Sequence, residues 1–154
     1  MHKNSAGILL YRFDNNSMEV LLVHPGGPYF RKKDSGAWSI PKGEFTREEN
    51  PLDAAKREFK EEIGIEVPGN DFIELSPIEQ KNNKTVYAWA LNGNIDASKI
   101  TSNTFELEWP PKSGRMQLFP EIDKGHWFDI STAKQKMNER QVALIDELFK
   151  KLNL

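Results

Sequence analysis

The chain has 154 residues, a formal net charge of −2, 38% hydrophobic residues and no cysteine. The length suits one domain with a full core, and the apolar content excludes a wholly disordered chain. No apolar run reaches the roughly 20 residues needed to cross a bilayer, no basic surplus supports sequence-independent nucleic-acid binding, and without thiols there is neither disulfide nor thiolate chemistry. One domain over residues 1–154 is therefore expected in the cytoplasm, as a monomer or homodimer, with a small-molecule partner rather than nucleic acid or membrane.

Residues 6–13 and 18–24 are apolar and β-prone, and the intervening Asp14-Asn15-Asn16-Ser17 is a cluster of turn formers, so a β-hairpin is predicted. The first 13 residues turn polar too soon for an export signal and suit a first strand. Residues 24–36 carry Gly and Pro breaks and the basic triplet Arg31-Lys32-Lys33, which reads as a surface loop, either simply solvated or a phosphate-attracting rim. Residues 37–40 read as a short strand stopped by Pro41.

A helix follows. Asn50 is a plausible N-cap, Pro51 fits the first turn, and Gly64 supplies the left-handed residue past the end. Leu52, Ala55, Phe59 and Ile63 recur at the spacing of a buried stripe. Beyond it, residues 72–80 and 84–91 flank a Lys81-Asn82-Asn83 turn as a second hairpin, with Tyr87 and Trp89 on one face and Val86, Ala88 and Ala90 on the other. Residues 102–123 contain three prolines and are predicted to be a long functional loop anchored by Phe105, Trp109 and Phe119. A last strand over 124–129, a short helix near 131–137 and an amphipathic helix from about Glu139, with Val142, Ile145, Leu148, Phe149 and Leu152 on its apolar face, complete an α/β (α+β) arrangement of helices on both sides of a mixed sheet.

The helix also carries Glu58, Glu61 and Glu62 at i, i+3 and i+4. Like charges at this spacing repel, so the arrangement wants a compensating cation. Lys56, Arg57 and Lys60 can supply it on a solvated, ion-paired surface, and a bound cation can supply it at a functional site. Both readings stand on these residues alone. Oxygen-only donors would select Mg²⁺ or Mn²⁺ rather than zinc, and Mg²⁺ held by carboxylates is usually shared with substrate phosphates.

Gly43, Glu49, Arg57-Glu58, Phe59, Glu61-Glu62, Gly64 and Ile65 together resemble the Nudix box, with every specified position filled. The resemblance implies an α/β/α sandwich and Mg²⁺-dependent hydrolysis of a phosphoanhydride in a nucleoside-diphosphate-linked substrate, with Mn²⁺ as a possible substitute. It implies that Glu58, Glu61 and Glu62 bind metal, that Glu49 supports them, that Arg57 orients a glutamate, and that Lys42 and Gly43 complete the metal's shell through the Lys42 carbonyl. The water is activated by a box glutamate such as Glu58 or Glu61, or by an acid outside the box. For that outside acid Glu121 and Asp123 are the first candidates, with Glu106 and Glu108 behind them.

The Trp38-Ser39-Ile40-Pro41-Lys42-Gly43 lead-in resembles members acting on dinucleoside polyphosphates or diphosphoinositol polyphosphates, with nucleoside triphosphates and nucleotide sugars as further substrates. Arg31, Lys42, Lys112 and Arg115 are candidates to meet phosphates, and Tyr87 or Trp109 to stack a base; each also reads as ordinary surface or core. A nucleotide-binding sensor without catalysis is the reading from another class, and such proteins commonly lose box acids that are all present here.

Overall fold

The computed structural model describes residues 2–154. The chain opens with strands β1 (Lys3–Asp14) and β2 (Ser17–Pro25), then the short β3 (Lys42–Glu44) and helix α1 (Pro51–Ile63). Strands β4 (Ile73–Glu74), β5 (Ile78–Gln80) and β6 (Lys84–Asn92) follow. A 3-10 turn (Ala97–Lys99) leads to β7 (Thr104–Glu108), β8 (Met116–Pro120) and β9 (Ile122–Asp129), and the chain closes with α2 (Ile130–Lys136), a 3-10 turn (Glu139–Gln141) and α3 (Val142–Lys151). Among these residues seven strands form one mixed sheet in the order β4-β6-β1-β2-β9, with β3 added to β1 and β5 to β6. β1 runs parallel to β6 and antiparallel to β2 and β3.

Both turns expected from asparagine clusters form, and for one reason. Asn15 and Asn16 lie at φ 51° and 69°, Asn82 and Asn83 at 67° and 58°. Consecutive positive φ values match the twist of a tight hairpin, and Asn tolerates them better than most side chains.

β1 is buried on both faces, which explains its unbroken apolar run. Ala6, Ile8 and Leu10 face α1 and join Ala54, Ala55, Phe59 and Ile63 in one core cluster. Leu9 and Tyr11 face the other way and meet Val86, Ala88, Ala90, Leu144, Ile145 and Leu148. The predicted alternation on β6 is present, with Trp89 packed on the α1 side. Each large side chain buried in these two clusters contributes roughly 1.5–3 kcal/mol relative to exposure.

α1 has the predicted ends. Asn50 Oδ1 accepts hydrogen bonds from the N–H groups of Leu52 and Asp53, at 3.0 and 3.1 Å. Gly64, at φ 79°, donates its N–H to the Lys60 carbonyl. Ala54 takes the core position expected of Leu52, which is only half-buried.

Two expectations need correction. Residues 37–40 make only isolated bridges, Val23 with Ser39 and Trp38 with Met137, and the short strand in this region is β3, three residues paired with β1 beyond Pro41. The stretch 102–123 is not an irregular loop: β7 and β8 pair antiparallel from Thr104↔Pro120 to Glu108↔Met116. Its prolines do not break the ladder because Pro110 and Pro111 lie in the turn and Pro120 at the strand end.

Candidate active site

β3 brings Lys42 and Gly43 alongside the second half of α1, and the two ends of the acidic motif meet there. The Lys42 N–H donates to Glu62 Oε1 over 3.1 Å. Gly43 lies so close to the helix that a Cβ on it would stand 1.8 Å from Glu58 Oε2. Glycine is thus required by contact with a carboxylate, at a φ any residue could adopt.

Arg57 binds three of the acids. Its Nε and Nη2 donate to the two oxygens of Glu49 at 2.7 and 2.8 Å, a bidentate fork. Nη1 donates to Glu58 Oε1 at 2.7 Å and to Glu61 Oε1 at 3.2 Å. The hydrogen bond with Glu49 is the main cause raising the Arg57 pKa, and Arg57 in turn holds the Glu49 carboxyl below its ordinary range. Glu58 is only 8% exposed, and burial pushes its pKa up against the pull of Arg57.

Glu62 is the most perturbed acid. Burial pushes it up to about 8, opposed by the Lys42 N–H and ammonium and reinforced by the charges of Glu58 and Glu121. Burial likewise lowers the Lys42 pKa, with Glu62 opposing and Lys84 adding to the shift. Glu121, at the head of β9, is raised by burial and then by Glu61. A cavity of about 160 Å³ is lined by Lys42, Glu62 and Glu121 together with Val23, Ser39 and Ile122.

Four carboxylates therefore influence one another across α1 and β9 with a single arginine among them. Among the described residues no three acidic or histidine side chains converge on one point as they stand. Glu58 and Glu61 lean to Arg57, and Glu62 to the Lys42 N–H. The donor set nevertheless fits a hard divalent cation: all oxygen, partly desolvated, mutually repelling, with the Gly43 hydrogen leaving room for Glu58 Oε2.

The other candidates lie outside this cavity. Trp109 packs edge-on against Tyr29, 5.2 Å between centroids, joining the 24–36 loop to the β7–β8 hairpin. Arg31 is exposed on that loop, and Lys112 and Arg115 on the hairpin's turn. Tyr87 stands on the α1 side of the sheet, edge-on to Phe45 at 5.9 Å. Asp123 pairs with the buried His24, whose other ring nitrogen donates to the Lys33 carbonyl at 2.7 Å. Glu106 lies opposite Leu118 on the hairpin, and Glu108 accepts the N–H groups of Lys112 and Gly114.

Sequence reasoning missed Gln141. It is fully buried; its Oε1 accepts the Ile40 N–H at 3.0 Å, and its Nε2 donates to Ser39 Oγ at 3.0 Å and Gln80 Oε1 at 3.3 Å. The amide pins the segment that delivers Lys42. The available signal was a glutamine at the head of the helical series Gln141, Leu144, Ile145, Leu148.

A NUDIX domain model matches residues 1–148. The chain belongs to the NUDIX family. The family's use of a divalent metal agrees with the donor set. The chain is 29% identical over 148 residues to the m7GpppN-mRNA hydrolase of Saccharomyces cerevisiae, covering 92% of this chain and 13% of that protein. It is 30% identical over 100 residues to the asymmetrical bis(5'-nucleosyl)-tetraphosphatase of Mus musculus, covering 58% of this chain and 64% of that protein. The chain thus spans about an eighth of the yeast relative's length and just under two thirds of the mouse relative's. In fold it is similar to a C. elegans Ap4A hydrolase, with a TM-score of 0.64, 22% identity and 98% of each chain covered. It is also similar to the NUDIX domain of Shewanella oneidensis NrtR, with a TM-score of 0.65, 14% identity, and 99% of this chain and 89% of that one covered.

Proposed function

We propose that the chain hydrolyses, with Mg²⁺, a phosphoanhydride bond in a substrate whose phosphate chain joins two nucleosides. The observation that carries this reading is the buried acidic cluster beside Lys42, in which Glu62 is pushed up to about 8. The names of the two relatives support the substrate class. An m7GpppN end and a bis(5'-nucleosyl) tetraphosphate are both phosphate chains with a nucleoside at either end.

Glu58, Glu61 and Glu62 would hold the metal, with Glu49 held by Arg57 behind them and Lys42 and Gly43 at its edge. When bound, the divalent cation supplies charge neutralisation on the phosphate oxygens and a lowered pKa for the attacking water. Arg57 keeps Glu58 and Glu61 aimed by charged hydrogen bonds. The Lys42 ammonium, partly desolvated in the cavity, attracts phosphate oxygens. The Glu121 carboxylate accepts the proton of the attacking water; burial and the neighbouring Glu61 raise its pKa toward the working pH, which suits a general base. Water then adds to phosphorus and a nucleotide leaves.

The test is turnover of diadenosine tetraphosphate, nucleoside triphosphates, nucleotide sugars and a diphosphoinositol polyphosphate with Mg²⁺ or Mn²⁺, with products separated by chromatography. Release of a nucleoside mono- and triphosphate from the tetraphosphate is expected. Preference for a nucleotide sugar would overturn the substrate class.

A further inference from the structure

Glu121 comes from the head of β9 and the other acids from α1, and a strap of residues 101–103 joins the two elements. The last carbonyls of a helix have no partner within it. Here the strap caps two of them. Thr101 donates its N–H to the Ile63 carbonyl and Asn103 donates to that of Glu61, both over 2.9 Å. Gly64 lets the strap lie close, since a Cβ there would stand 2.5 Å from the Thr101 carbonyl oxygen.

The same strap holds β9. The Asn103 carbonyl accepts the Glu121 N–H over 2.8 Å, and the Glu121 carbonyl accepts the N–H of Gly26 over 2.8 Å. The next peptide is held by a side chain. Ser102 Oγ accepts the Ile122 N–H over 3.0 Å, and its single hydrogen faces the carbonyls of Ile122 and Asn103, at 3.1 and 2.9 Å. β9 is the outermost strand of the large sheet, so at Ile122 this hydroxyl fills the place of a further strand, as both acceptor and donor.

These bonds fix the peptide planes on both sides of the Glu121 Cα, with the end of α1 as their reference. The Glu121 pKa is raised by burial and then by the charge of Glu61, so the two carboxylates are near enough to interact. A general base must sit within hydrogen-bond reach of the water it deprotonates, which makes the placement of this strand matter for the rate. Of the bonds that hold Glu121 and Ile122, those of Ser102 are made by a side chain, and a point substitution removes them.

Building on the function proposed above, we propose that Ser102 is a positioning residue for Glu121. Its hydroxyl holds the strand that presents the carboxylate to the acidic face of α1, and it touches neither substrate nor metal.

The test is a double-mutant cycle of Ser102→Ala and Glu121→Gln with diadenosine tetraphosphate and Mg²⁺, with melting curves taken for each protein. Ser102→Ala is expected to lower kcat about 10-fold or more, with KM and the Mg²⁺ dependence little changed, and Ser102→Thr, which keeps the hydroxyl, to restore the rate. In the Glu121→Gln background the Ser102→Ala change is expected to have no further effect, because the group it places is already gone. In the metal-free protein, Ser102→Ala is also expected to speed hydrogen exchange at the Ile122 amide. If Ser102→Ala melts below the assay temperature, Ser102→Cys, of similar size and with a weak donor, is expected to show the same pattern at smaller amplitude. A wild-type kcat in the serine variants, or a penalty as large in the Glu121→Gln background as in wild type, would overturn the proposal and leave the proposed function standing. A wild-type kcat in Glu121→Gln alone would instead overturn the general base assigned above, and the positioning role with it.

Discussion

Gly43 and Glu58 are in contact across the junction of β3 and α1, with a hypothetical Cβ at residue 43 lying 1.8 Å from Glu58 Oε2. Gly43→Ala must push that carboxylate aside. Overpacking of this kind costs about 1–3 kcal/mol, and displacement of a working group by about 1 Å costs on the order of 100-fold in rate. A large fall in kcat with a fold that still melts cooperatively is therefore expected, measured by steady-state turnover and thermal denaturation. Activity within twofold of wild type would show that Glu58 need not sit where it does.

Arg57→Lys keeps the charge and loses the fork. A lysine cannot bond both oxygens of Glu49 while also reaching Glu58 and Glu61. Groups that orient metal-binding side chains typically matter by about 10–100-fold in affinity or activity, and a weakened Mg²⁺ dependence of that size is the expected outcome. Activity measured against Mg²⁺ concentration reads it directly. If Arg57 served only the solvated face, the curve would not move.

Glu62 should also make the metal-free protein pH-sensitive. Its folded pKa, about 8, lies above the ordinary 4.5, so its contribution to stability is full below about pH 4.5 and is lost as pH rises through 8. Glu58 and Glu121, also raised, act in the same direction, while Glu49, lowered by Arg57, acts in the opposite one at acid pH. In chelator, Glu62→Gln is expected to flatten the decline and melt above wild type at pH 8, by about 2–4 °C for each kcal/mol recovered. Parallel melting curves for the two proteins from pH 5 to 8 would remove the burial cost assigned to Glu62.

Much of this was legible in the sequence because it rests on local rules. Asn50, Pro51 and Gly64 mark the ends of α1, the asparagine pairs mark two turns, and the spacing of Glu58, Glu61 and Glu62 marks the acidic face. The β7–β8 hairpin was hidden by prolines that turned out to lie outside its ladder. The link made by the Gln141 amide was harder to see, since its partners Ser39 and Gln80 are about 100 and 60 residues away. Nor does spacing disclose that Tyr87 faces Phe45 rather than the acids, because face assignment on β6 depends on which side α1 covers.

The most direct measurement is the turnover of diadenosine tetraphosphate with saturating Mg²⁺ by Glu62→Gln beside wild type, with folding of both checked at the assay pH. The substitution keeps the side chain's shape and the hydrogen bond from the Lys42 N–H while removing the charge. A loss of about 3 kcal/mol of transition-state stabilisation corresponds to roughly 100-fold in rate, and a fall of at least that size in a well-folded variant is expected. A variant that retained most of the wild-type rate would contradict metal binding by the acidic face of α1.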